Sequence, residues 1–326
     1  MDKTAIDPDI ATFIATMQQD WERHPPFASL SFDEARAAAE DVRARWREGG
    51  PVMAETRDLS VETACGPLPV RIHYPVDADQ LTVMVYLHGG GFTLFSIETH
   101  DRLMREYAAA TGCAVIGVDY PLSPETKFPV ALDRIAALVA ALPDHAAQWN
   151  IDAARVVLAG DSAGANLAVA TCFKLREALG EIPVAALLLN YGAFAHGTSD
   201  QAESRYGGAD SILNAEEMDF YWANYLTSPA DYADPFACPL LGDMTGLPPA
   251  ILIVPELDIL SEQSSAIAAK MHEAGCEVQL LRYAGATHSF LEAMSISPLA
   301  QRAIADGANF VRDRIMDQST AQKQAT

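Results

Sequence analysis

Cysteine, basic residues and long apolar runs are all scarce in this chain, and each shortage removes a class of protein. Only five cysteines occur, at positions 65, 113, 172, 238 and 276, with no Cys-x-x-Cys pair among them. An odd, scattered set of this kind gives neither a disulfide framework nor a thiolate zinc site; Cys113 and Cys172 fall in apolar patterns and read as core. Lys and Arg together number 22 against 44 Asp and Glu, a net charge of −22, which argues against nucleic acid and anionic membrane as partners. No apolar run approaches the roughly 20 residues of a membrane-spanning helix. Residues 1–9 carry charges rather than an apolar targeting region, so a reducing, cytoplasmic setting is expected. What is present is a 326-residue chain, half of it apolar, long enough to bury the core of one large α/β domain.

The first 50 residues follow a helical period, with Phe13, Ile14, Met17 and Trp21 recurring at helical spacing, a second helical segment over 33–48, and a stop at Gly49-Gly50-Pro51. Two alternating segments, 56–63 and 68–74, split by Cys65-Gly66-Pro67, read as an antiparallel pair at a sheet edge. Beyond them, apolar strands at 81–87, 113–119, 155–159, 184–189, 250–254 and 277–283 alternate with helices at 99–111, 130–142, 165–179, 261–273 and 299–316. Eight strands so arranged imply a mostly parallel sheet flanked by helices on both faces. The last strand is a candidate edge for pairing with a second copy, so both monomer and homodimer stay open.

One segment breaks the alternation. About 60 residues between 189 and 250 hold a single clear helix, 215–226, and an aromatic group of Tyr206, Phe220, Tyr221, Trp222 and Tyr225. Insertions of that length in a compact domain are usually functional. With the N-terminal helices this one is expected to form a helical cap over the carboxyl edge of the sheet. The expected organisation is cap helices over 1–50, the α/β domain over 51–317 with its cap insert at 192–247, and a polar, disordered tail at 318–326.

The chemistry is concentrated in Arg155-Val156-Val157-Leu158-Ala159-Gly160-Asp161-Ser162-Ala163-Gly164-Ala165-Asn166. An apolar strand breaks into Gly-x-Ser-x-Gly and resumes as a helix, the context in which that pentapeptide makes a nucleophile elbow. Gly160 and Gly164 let strand and helix approach closely while Ser162 takes a strained turn. A serine hydroxyl needs a base, and the base an orienting acid; on such an elbow they follow in the order Ser, Asp or Glu, His. Of the later histidines, His196 has no strand directly before it and His272 ends an amphipathic helix. His288 follows the final strand and is the expected base. For the acid, Asp258 stands on the turn after strand 250–254, with Glu256 the alternative. The oxyanion of an acyl-transfer transition state needs preorganised N–H donors. Ala163 directly follows the nucleophile, and His88-Gly89-Gly90-Gly91-Phe92 directly follows strand 81–87. Neither loop has the Gly-Lys-Ser/Thr of a phosphate-binding loop.

His-Gly-Gly-Gly-Phe at 88–92, Asp119-Tyr120-Pro121-Leu122-Ser123-Pro124-Glu125, Gly-Asp-Ser-Ala-Gly at 160–164, the Asp258 turn and His288 occur in that order. Together they resemble the hormone-sensitive-lipase-like esterases of the α/β-hydrolase fold, and among these the bacterial acetyl esterases. The likeness covers about residues 50–315 and is strongest over 88–132, including Glu98-Thr99-His100-Asp101-Arg102-Leu103-Met104. It implies an α/β-hydrolase fold and hydrolysis of short-chain acyl esters, acetyl to about hexanoyl, with a small-molecule ester as partner and neither cofactor nor metal. It assigns Ser162 as nucleophile, Asp258 as acid and His288 as base. The oxyanion hole falls to Gly90, Gly91 and Ala163, with Gly89 in support. Pro121 stands where many relatives have Arg, and Asp-Ile-Leu replaces Asp-Pro-Leu at the acid turn; both concern subgroup. The same triad serves amidases, lactonases and carbamate hydrolases, which the residues alone do not separate. A non-catalytic ligand-binding module would be expected to lack a triad member, and none is missing.

Overall fold

The computed structural model describes residues 5–208 and 211–325, with side chains as far as residue 316. Two helices open the chain, α1 (Pro8–Trp21) and α2 (Phe32–Arg43). Both begin at side-chain caps: Asp7 accepts from the N–H groups of Asp9 and Ile10, and Ser31 and Glu34 form a reciprocal capping box. The hairpin β1 (Glu55–Thr63) and β2 (Gly66–Tyr74) follows, then β3 (Leu81–Leu87), α3 (Asp101–Thr111), β4 (Ala114–Val118), α4 (Val130–Trp149), β5 (Ile151–Asp161), α5 (Ala163–Leu179) and β6 (Ala186–Asn190). After the insert come β7 (Ala250–Leu257), α8 (Ser261–Glu273), β8 (Val278–Thr287) and α9 (Pro298–Ala325).

The eight strands form one sheet in the order β1-β2-β4-β3-β5-β6-β7-β8. β2 runs antiparallel to both β1 and β4, and the other pairings are parallel. This is the α/β-hydrolase fold expected from the sequence. Side-chain alternation divides each inner strand between two cores: Val83, Val85 and Leu87 of β3 enter one, Met84 and Tyr86 the other. That is why the inner strands read as continuous apolar runs. The first core is shared with α4 and α5, the second with α3, α9 and α1. Cys113 and Cys172 are fully buried. Among the described residues no helix is long and apolar enough to cross a membrane.

Three elements depart from the sequence reading. Helix α4 runs through Pro143 to Trp149 instead of stopping at 142. Trp149, 4% exposed, packs at its far end and Asn150 closes it in a left-handed cap, which outweighs the hydrogen bond a proline removes. The insert holds two helices rather than one, α6 (Asp200–Tyr206) and α7 (Ala215–Tyr225), with 3-10 turns at Pro229–Ala233 and Pro239–Leu241. Seven residues are too few for α6 to show a period, and its clearest local signal is the Ser199 hydroxyl accepting the Ala202 N–H at 3.0 Å. The segment expected to be a disordered tail is helical as far as Ala325, while Thr326 lies outside the described residues. Polarity there bears on burial, whereas its Gln, Ala and Lys residues are good helix formers.

The N-terminal segment and the insert meet. Phe27 and Phe32 lie against Phe220 of α7, with ring centroids 5.7 and 6.2 Å apart. Helix α1 also packs on β8 and on the 3-10 turn Phe290–Ser295 that follows it.

Candidate active site

Ser162 joins β5 to α5 with φ 52° and ψ −117°, a conformation that costs a non-glycine residue about 1–3 kcal/mol. Neighbouring strands hold it there. Its N–H donates to the Asn190 carbonyl at 2.9 Å, and its carbonyl accepts the Ala193 N–H at 3.2 Å. The flanking glycines are steric requirements: a Cβ on Gly164 would lie 1.8 Å from the Leu87 carbonyl oxygen, and one on Gly160 would lie 2.5 Å from the carbonyl carbon of Gly164. Helix α5 therefore meets β3 through bare backbone.

His288, just past β8, brings Nε2 to 3.1 Å from Ser162 Oγ. Its Nδ1 lies 2.8 Å from Oδ2 of Asp258, just past β7. An ionised carboxylate only accepts, so Nδ1 carries the proton and Nε2 is free to accept from the serine hydroxyl. The other carboxylate oxygen of Asp258 accepts the Leu260 N–H at 2.9 Å, which fixes the side chain. Burial alone would make His288 less basic. The charge of Asp258 and its hydrogen bond overcome this, with smaller help from Asp161 and Glu292, and leave His288 more basic than a free imidazole. Glu256 is exposed, whereas Asp258 is buried. His196 pairs with Asp219 at 3.3 Å in the insert, and His272 is in the last turn of α8.

In the loop after β3, Gly90 and Gly91 take φ of 105° and 58°. A Cβ on Gly90 would meet the Leu94 carbonyl oxygen at 2.2 Å, and one on Gly91 would meet the Tyr221 ring at the same distance. Both glycines line the cavity at Ser162 together with Ala163. Gly89, grouped with them from the sequence, is placed differently: its N–H donates to Asp161 Oδ1 at 3.1 Å. It anchors the loop, because its donor is already engaged.

Asp161 is the centre of a second buried network that sequence reasoning left without a role. Oδ1 also accepts the Tyr86 hydroxyl at 2.8 Å, and Oδ2 lies 3.3 Å from His100 Nε2, whose Nδ1 is 2.9 Å from Thr99 Oγ1. Burial opposes charge on both groups, but their mutual attraction and hydrogen bonds prevail, lowering Asp161 and raising His100 into an ion pair. His88 behaves oppositely: burial and the neighbouring His100 push it down to about 3. Neutral, it donates from Nδ1 to the Gly89 carbonyl at 2.7 Å and stacks on Tyr120 at 4.3 Å.

The cavity at Ser162 measures about 80 Å³ and is walled partly by Ala193, Leu213, Met218 and Trp222. Another part of its wall is a buried ion pair, Arg43 with Glu292, which ties α2 to the turn that follows His288. The Arg43 guanidinium also lies 4.6 Å from the Phe95 ring centre. Nothing in the sequence pairs two residues so far apart. Arg43, Phe95, Ile212 and Tyr221 also border a second chamber of about 530 Å³ beneath the N-terminal segment.

Residues 84–292 match a family described as having the alpha/beta hydrolase fold. The chain is 36% identical over 277 residues to an acetyl esterase of Salmonella paratyphi A, covering 83% of each protein. Among solved structures it superposes on a hyperthermophilic esterase from the archaeon Pyrobaculum calidifontis with a TM-score of 0.86 at 28% identity, covering 94% of this chain and 98% of that one. A thermostable carboxylesterase cloned from a metagenomic library gives a TM-score of 0.84 at 31% identity, covering 88% and 98% respectively.

Proposed function

This chain belongs to the α/β-hydrolase family, in its hormone-sensitive-lipase-like esterase group; it is a carboxylic-ester hydrolase, and we propose that it cleaves short-chain acyl esters through an acyl-enzyme on Ser162. The observation that carries the proposal is the continuous chain Ser162 Oγ to His288 Nε2 at 3.1 Å and His288 Nδ1 to Asp258 at 2.8 Å, opening into a cavity lined by Gly90, Gly91 and Ala163.

Ser162 attacks the ester carbonyl while His288 takes its proton. The tetrahedral oxyanion is held by the N–H groups of Gly90, Gly91 and Ala163, the last at the positive end of α5. His288 then protonates the departing alcohol, and water repeats the sequence on the acyl-enzyme. Asp258 keeps the proton on Nδ1 and stabilises the imidazolium. Residues 1–50 and the insert at 192–247 act as the cap, a reading supported by the Phe27 and Phe32 contacts with Phe220 and by Tyr221 lying on the oxyanion loop. Five free cysteines, four of them buried and Cys65 exposed, suit a reducing, cytoplasmic setting.

The test is hydrolysis of p-nitrophenyl esters from two to twelve carbons. A p-nitrophenol burst equal to the enzyme concentration, and a rate falling beyond about six carbons, are expected. Ser162→Ala should lose roughly 10⁶ in kcat, as triad serines do. Turnover that survives this substitution would remove the mechanism.

A further inference from the structure

We infer that the substrates of this enzyme join a short acyl group to a bulky aromatic or alicyclic alcohol that carries no negative charge. The inference rests on the esterase reading above and adds an orientation to it. A nucleophile served by one small cavity and one large adjoining chamber must place the two halves of an ester in different spaces, and the chemistry decides which half goes where. His288 has to reach the leaving oxygen to protonate it, so the alcohol lies on the His288 side of the carbonyl. Glu292 lies in the 3-10 turn Phe290–Ser295 that follows His288 and is paired with Arg43. Arg43 is in turn a wall shared with the large chamber. The route from the leaving group therefore runs past Arg43 and Tyr221 into about 530 Å³, within the usual range for pockets that hold a whole small molecule.

The apolar side chains that wall the small cavity and not the large chamber include Phe92, Ala193, Leu213, Met218 and Trp222. The last three are buried, at 8%, 4% and 1% exposure. That cavity, about 80 Å³ where one water needs roughly 10–15 Å³ on the same measure, leaves room for an acyl chain of only a few heavy atoms. The large chamber is bordered by Trp21, Phe27, Phe32, Phe220 and Tyr221, ring faces and edges that suit a flat or alicyclic apolar group. Among its described lining residues the one cation, Arg43, is neutralised by Glu292. Glu216 and Glu217 also border it, and burial pushes Glu217 up to about 7. An anionic alcohol would find no free cation there.

Two isomeric esters of equal mass and apolarity test the orientation: 2-naphthylmethyl acetate and methyl 2-naphthylacetate. The acetate should be hydrolysed with at least about a hundredfold higher kcat/KM, a difference of roughly 2.7 kcal/mol. Equal rates, or a preference for the naphthylacetate, would overturn the proposal, as would turnover of p-nitrophenyl acetate with neither isomer hydrolysed. No Ser162-dependent turnover of any of the three esters would instead remove the esterase reading itself. A ratio within one variant, insensitive to the amount folded, tests the acyl side. Met218→Ala should raise the hexanoate-to-acetate ratio of kcat/KM about tenfold, and an unchanged ratio would take the acyl group out of that cavity.

Discussion

Two buried carboxylate–histidine pairs flank Ser162, and only one of them touches it. Asp258–His288 and Asp161–His100 use the same chemistry at similar burial: each couples an aspartate to an imidazole made more basic by its partner. They differ in what the second ring nitrogen meets. His288 Nε2 faces the Ser162 hydroxyl at 3.1 Å, whereas the remaining nitrogen of His100 is occupied by the Thr99 hydroxyl at 2.9 Å. In the proposed mechanism the first pair has a proton to move, whereas the second is locked. The locked pair still bears on the site, because Asp161 Oδ1, which also accepts the Tyr86 hydroxyl, holds the Gly89 N–H and so sets where Gly90 and Gly91 lie. Charge and burial alone do not identify a catalytic dyad; the third partner does.

That contrast can be broken at several points. Asp258→Asn leaves a hydrogen-bonding group of the same shape but favours the wrong tautomer, so kcat should fall by roughly 10⁴ with little change in KM, as in other triads; steady-state kinetics on a short ester measures it. Asp161→Asn should cost less, roughly 10²–10³, the scale of losing an oxyanion-hole donor, because it loosens the loop while leaving the triad intact. It also carries a pH signature. His288 acts as a base only when neutral, and its basicity is raised, so activity is lost as pH falls through a value above the ordinary 6.5. Asp161 contributes to that elevation; removing its charge lowers the His288 pKa and should move the acid limb of kcat/KM to lower pH. An acid limb that stays in place would separate Asp161 from the site electrostatically. Thr99→Val, which frees the second nitrogen of His100 without touching its charge, should change kcat by only a few-fold. A loss as large as that of Asp161→Asn would mean that locking the ring, rather than the ion pair, holds the loop.

The proposed triad was legible because Ser162, Asp258 and His288 each close a strand, and strand ends are where period and punctuation are clearest. Ser162 breaks an apolar run between two glycines, and His288 and Asp258 each follow an apolar strand. Asp161 and His100 were visible only as letters of a resemblance, since no local pattern says that residues 61 apart will pair. Arg43 and Glu292 had no signal at all: one ends an amphipathic helix and the other lies in a short 3-10 turn. Gly89 could not be told from Gly90 and Gly91 by type, because the distinction lies in where its N–H points. The sheet was read nearly strand for strand. The insert was not, since α6 is too short for periodicity and its position follows from packing on the rest of the chain.

The backbone at Ser162 has one more consequence, for how the protein reports on itself. Its left-handed turn is held by Asn190 of β6 and by the contact of Gly164 with Leu87 of β3, while its partners arrive from the ends of β7 and β8. A fragment lacking any of those strands would not bring the proposed nucleophile to its partners, so hydrolysis should count the molecules in which β3 and β5 to β8 have come together. Activity recovered after denaturation should therefore report assembly of that part of the sheet more strictly than any measure of helix content could.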